Sequence, residues 1–107
     1  MVAGIMAQWR SWGGVVVKVG PRAGVPSGTP DLVGVLFGRC VVVEVKRPGG
    51  VVSDVQRVRL DEWKAGGARV LVCDSVEGFC SYFDLLRFGY KTQKWLHSAV
   101  GMLILVG

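Results

Sequence analysis

In the stretch SGTPDLVGVLFGRCVVVEVKRPGG, residues 27–50, three charged side chains interrupt two runs that otherwise have the composition of buried strands. Asp31 opens the first run, and Glu44 and Lys46 close the second. Two carboxylates on one strand face are costly unless something neutralises them. A divalent cation does so: Mg2+ favours one or two carboxylates, keeps several waters, and leaves positions for a phosphate oxygen and an attacking water. An ion there polarises the phosphate, lowers the pKa of its water and stabilises the leaving oxygen. Lys46, two residues after Glu44, can aim its charge at the same phosphate or nucleophile, and the carbonyl of Val45 between them is a further candidate ligand. A lone Glu-x-Lys is more often a solvated strand face with an ion pair worth about 0–1 kcal/mol. Two features favour chemistry here: Pro30-Asp31 lies at hairpin spacing, and the flanking valines make the second run an interior strand, where a chance ion pair is badly placed.

Bringing these residues together requires a hairpin. The runs DLVGVLF and CVVVEVK flank Gly38-Arg39, a Gly-X pair suited to a two-residue type II′ turn. That turn predicts Phe37 opposite Cys40, Val33 opposite Glu44 and Asp31 opposite Lys46. Alternation along the strands then puts Asp31, Glu44 and Lys46 on one face near one end. Upstream, Val2 to Trp12 reads as a short helix with Ile5, Trp9 and Trp12 on one side, ended by Gly13-Gly14, and VVVKV reads as a strand. Three prolines and three glycines in GPRAGVPSGTP predict an exposed, mobile loop.

Downstream, Ser53 with Gln56 three residues on fits a capping box for a helix stopped by Gly66-Gly67, with Val55, Val58 and Trp63 as its buried stripe. ARVLVCD is another strand, and the strand–helix–strand passage from Glu44 to Cys73 predicts a right-handed crossover between parallel strands. Ser75 caps a third helix, with Val76, Phe79, Cys80, Phe83 and Leu86 at inward spacing and Gly89 at its end. The tail from Tyr90, with Trp95 and the apolar AVGMLILVG, is expected to be a helix or strand buried on this chain or a neighbour. The pattern is that of one α/β domain, residues 1–107, with a modest core.

Half of the 107 residues are apolar and a fifth are charged, the composition of a globular chain rather than a disordered one. No apolar run approaches the roughly 20 residues needed to cross a bilayer, and no secretory signal is visible at the start. Cys40, Cys73 and Cys80 are odd in number, lie in apolar surroundings and form no Cys/His cluster, so they read as buried thiols of a reducing compartment. His97, the single histidine, reads as a surface or packing residue. Thirteen Lys and Arg against eight Asp and Glu leave a charge of +5, compatible with a polyanionic partner.

GTPDL, then VVVEVKRPGGVVSDVQ, then AGGARVLVCDSVEGF together resemble the virus-type replication-repair nuclease domain, VRR-Nuc, of the PD-(D/E)XK nuclease superfamily. The likeness runs over about residues 13–88. It implies a restriction-endonuclease-like mixed β-sheet core flanked by helices. It also implies that Asp31 and Glu44, with Val45, hold Mg2+ (Mn2+ as substitute), that Lys46 is the catalytic lysine, and that Gln56 completes the site beside its capping role. Family members usually carry a further glutamate on the first helix. Here no acidic residue precedes Asp31, and Gln8 is the nearest polar side chain.

The resemblance implies hydrolysis of phosphodiester bonds in DNA. Small stand-alone members are similar to dimeric phage or bacterial enzymes that resolve four-way (Holliday) junctions, which points to a homodimer in the cytoplasm of a bacterial or phage-infected cell. No membrane or small-molecule cofactor is expected. Arg22, Arg47 and Arg57 are the leading candidates for contacts to DNA phosphates, with Arg10, Lys18, Arg39, Arg59 and Lys64 as further ones. Two other readings stay open: a nuclease directed to flaps, nicks or ends, and a non-catalytic DNA-binding module with an incomplete metal site.

Overall fold

The computed structural model describes residues 1–84 and 87. In chain order these form α1 (Val2–Ser11), β1 (Val15–Lys18), β2 (Leu32–Leu36), β3 (Arg39–Val45), α2 (Asp54–Ala65) and β4 (Arg69–Cys73), then α3 over residues 76–84. The strands make one sheet in the order β1-β2-β3-β4. The first two pairings are antiparallel. The β3–β4 pairing is parallel, as the crossover through α2 requires. Mixed sheet and flanking helices are the expected α/β class. The expectations for Leu86, Gly89, Trp95, His97 and the apolar tail fall outside the described residues.

One face of the sheet carries the core. Val16, Leu32, Leu36, Val41, Val43 and Cys73 point there, against Ile5 and Trp9 of α1 and Phe79 and Phe83 of α3. Ile5 and Trp9 are one helical turn apart, so the short α1 can bury both. Trp9 also satisfies its indole N–H by donating to the carbonyl of Val35 at 2.9 Å, which a buried tryptophan must do. Among the described residues, no helix is long and apolar enough to cross a membrane.

The hairpin turn differs from the expected one. Leu36 pairs with Arg39 and Val35 with Cys40, so the turn residues are Phe37 and Gly38, both with positive φ (51° and 75°). That is the type I′ pattern. A phenylalanine rarely adopts this conformation, but its ring is packed 5.4 Å from Trp12 and 6.4 Å from Phe83, centroid to centroid. Tertiary packing thus overrides the local preference for Gly38-Arg39. Moving a two-residue turn by one position moves every cross-strand pair by two residues, which preserves the faces.

The other face of β3 is covered by α2, beneath which Val42 and Glu44 are buried. The apolar stripe expected on α2 is not what this helix buries. Val55 and Val58 are exposed and Trp63 is half-buried, while Leu60 is buried. The inward row runs Gln56, Arg59, Leu60, Trp63. It has helical spacing but mixed polarity, because the first turns of α2 cover carboxylates and a loop rather than a hydrophobic layer. Cys40 is likewise exposed, in an open groove that it lines with Trp63 and Gly66 at the end of α2. Cys73 is buried and Cys80 half-buried, and all three thiols are free.

Candidate active site

Leu32 pairs with Val43, so one further step along the ladder sets Asp31 across from Glu44 rather than from Lys46. Asp31 is held firmly at that point. Its carbonyl accepts from Val19 N–H at 2.7 Å, and its Oδ2 accepts from Val45 N–H at 2.8 Å. The preceding Pro30 is fully buried, which fixes the approach of the chain to β2.

Glu44 is 3% exposed. Its Oε1 accepts from Gln56 Nε2 at 3.3 Å and lies 3.9 Å from Lys46 Nζ. Its Oε2 is buried with no hydrogen-bond partner. Gln56 joins everything. Its Oε1 accepts from Lys46 Nζ at 2.7 Å and from Ser53 N–H at 3.0 Å, while its own N–H donates to Ser53 Oγ at 3.3 Å. The capping box is therefore present, and the same amide that closes the helix end also orients the lysine and the glutamate.

Burial holds the Glu44 carboxyl up near pH 7, and the neighbouring Asp31 carboxyl adds to this through a shared hydrogen bond and its charge. Lys46 opposes both. With a proton between them the two carboxyls can bond. With both ionised they only repel, and Glu44 Oε2 has no donor to turn to.

Asp31, Glu44 and Gln56 line a cavity of about 390 Å3 roofed by the loop between β1 and β2. The loop is tied down to α2. Arg59 Nε donates to the carbonyl of Ser27 at 3.1 Å while its Nη1 pairs with Glu62 at 2.7 Å. Gly28 has φ +80° and approaches α2 so closely that a Cβ there would sit 2.8 Å from the carbonyl oxygen of Val55. Only glycine fits both conditions. From the sequence Arg59 is a further candidate for a phosphate contact; its role as a strap has no local signature, because nothing near it in the chain links it to residue 27.

The structure thus brings Asp31, Glu44, Lys46 and Gln56 together, with Val45 bonded to Asp31 through its N–H. Arg22 lines the same cavity. Arg47 lies on the far side of Lys46, beside Gly49, Gly50 and Asp74, and Arg57 opens into a separate cleft. Gln8 is engaged with Ser11 Oγ at 2.9 Å, on the helix that packs against the opposite face of the sheet. Among the described residues no group of three or more His, Cys, Asp or Glu gathers. The donor set is two carboxylates plus backbone oxygen, with the orphaned Glu44 Oε2 turned inward. That set suits a hard cation that retains water.

No curated protein matches this chain. A solved structure described as a VRR_NUC domain superposes with a TM-score of 0.67 at 25% identity, over 78% of this chain and 89% of that one. The profile of the VRR-NUC domain matches residues 18–77, a span that holds the hairpin, Lys46 and the whole of α2. On that match the chain belongs to the VRR-NUC domain family, a family of nuclease domains.

Proposed function

We propose that this protein is a Mg2+-dependent, structure-selective DNA endonuclease, a resolvase of four-way junctions that acts as a dimer. The observation that carries the metal is Glu44 Oε2, buried and without a partner beside a second carboxyl. A buried anion in that state is expensive, and a divalent cation relieves it. Asp31, Glu44 and the carbonyl of Val45 would hold the ion, and Mn2+ accepts the same oxygen donors. When bound, it supplies Lewis-acid polarisation of a phosphate oxygen and a water of lowered pKa.

The residues of the chain do the positioning. Asp31, anchored through Val19 and Val45, sets one carboxylate rigidly at the strand end. Gln56 Oε1 accepts one hydrogen bond from the Lys46 ammonium, which leaves two N–H donors for a phosphate oxygen or the attacking water. Arg22 at the cavity wall supplies a second cation for the phosphate charge. The loop above Gly28 limits access of bulk water, which strengthens each of these interactions.

A four-way junction has two-fold symmetry and needs two cuts, so a pair of identical single-site domains matches it. The test is cleavage of a labelled immobile four-way junction with and without Mg2+, against a Lys46→Ala control. Symmetric nicks that need Mg2+ and Lys46 support the proposal. Products confined to flaps or ends would assign the enzyme to that substrate instead, and no heat of Mn2+ binding by calorimetry, with or without DNA, would make it a non-catalytic module.

A further inference from the structure

The most concentrated positive charge lies away from the carboxylates. On the other flank of α2, where the helix meets the outer edge of β4, a cleft of about 540 Å3 is lined by Arg39, Arg57, Lys64 and Arg69, with Asp61 as its one acid. Four of the thirteen Lys and Arg therefore converge there with one of the eight Asp and Glu. None of the four makes an ion pair with a described residue. The Nε of half-buried Arg69 is itself buried without a hydrogen-bond partner. An ordinary solvated face scatters its charges and pairs them with neighbours. Here like charges are gathered beside an apolar floor that includes Leu60 and Val70.

The register gives the distance from the site. Arg69 pairs with Val41 and Val72 with Glu44, and both Arg69 and Val72 line the cleft, so the cleft begins level with Glu44 and meets Arg69 three residues on. It reaches Arg39, five residues back along β3, a span of about 17 Å at 3.3 Å per residue. Lys64 follows Gln56 by eight residues on α2, about 12 Å at 1.5 Å per residue. A DNA strand carries one charge per 3.4 Å of helix rise, so about 17 Å corresponds to about five base pairs.

Resting on the nuclease reading above, we infer that this cleft is a second DNA-backbone site. Through Lys64 and Arg39 it holds the phosphodiester chain about three to five base pairs away from the scissile bond, while Arg22 serves the scissile phosphate itself. The contacts are to phosphates, so the cleft fixes orientation and reach without reading sequence. The α2 helix is the shared wall, with Gln56 on the carboxylate cavity and Arg57 and Lys64 on the cleft. A duplex seated in the cleft is thereby set in register with the metal-binding carboxylates.

The test uses Arg39→Ala/Lys64→Ala, two exposed side chains outside the carboxylate site. Binding of a duplex of about 20 base pairs in EDTA, titrated with salt, reads the number of phosphates contacted, at a slope of about 0.9 per contact. The double variant is expected to lower that slope by about 2, with Arg39→Lys/Lys64→Arg restoring it. Cleavage by the double variant in Mg2+ should show a raised KM and an unchanged kcat, since the lost contacts are remote from the reacting atoms. A wild-type slope in the double variant, or an unaltered KM, overturns the inference while leaving the nuclease reading intact. Absence of cleavage by the wild-type protein on junctions, flaps and linear duplexes in Mg2+ would instead strike the nuclease reading and leave the salt slope to judge the cleft.

Discussion

Replacing Glu44 with glutamine isolates the electrostatic cost on which the metal assignment depends. The glutamate is 3% exposed, and its carboxyl is raised from an ordinary 4.5 to about 7, chiefly by burial and then by Asp31. A folded-state pKa above the unfolded one means that the folded protein holds this proton more tightly. The stabilisation from holding it is complete below pH 4.5, falls as pH rises toward about 7, and is gone above it. At about 1.4 kcal/mol per pH unit, the loss across that interval amounts to about 3 kcal/mol. Glu44→Gln keeps the shape and the contact with Gln56 but has no proton to lose. Relative to wild type it should therefore gain up to about 3 kcal/mol between pH 4.5 and pH 8, in EDTA. The assay is urea denaturation at a series of pH values, comparing midpoints at constant m. Adding Mn2+ at pH 8 should restore wild-type stability and leave Glu44→Gln unmoved, because a ligand that binds the native state stabilises it by mass action. Parallel pH profiles for the two proteins in EDTA would refute the reasoning, since a carboxyl that ionises as easily folded as unfolded is under no strain for a cation to relieve.

Ser53→Ala removes the hydroxyl that accepts from Gln56 N–H; stability should fall by about 1 kcal/mol by thermal melting, while the Ser53 backbone N–H still holds Gln56 Oε1, so kcat should stay unchanged. Gly28→Ala places a Cβ against the Val55 backbone at a left-handed φ. Expected is a loss of at least about 1 kcal/mol, with faster proteolysis in residues 19–30 as the roof lifts from α2. Trp9→Phe deletes the donor to the Val35 carbonyl and should cost about 1–3 kcal/mol in denaturant unfolding, with kcat unchanged. Phe37→Gly relieves the left-handed backbone but removes a ring packed on Trp12 and Phe83. The packing loss is the larger effect, so the variant should unfold at lower denaturant than wild type.

Much of this architecture was legible because it depends on short-range patterns. Ile5 and Trp9 one helical turn apart, alternating valines around Glu44, Ser53 and Gln56 at capping spacing, and the parallel crossover to β4 are each decided by local backbone geometry. The face shared by Asp31 and Glu44 was legible too, and survived a misplaced turn because a one-position shift of a two-residue turn keeps the alternation. Three things were settled only in three dimensions. The turn fell on Phe37-Gly38 because Trp12 and Phe83, remote in sequence, hold the ring. The inner row of α2 became polar because of what lies beneath it: its helical period survives in the positions but not in their hydrophobicity. The gathering of Arg39, Arg57, Lys64 and Arg69 joins the start of β3, a helix and an edge strand, and no local pattern marks it. Periodicity determines which side of an element faces inward; what waits on that side is decided by contacts between residues far apart in the chain.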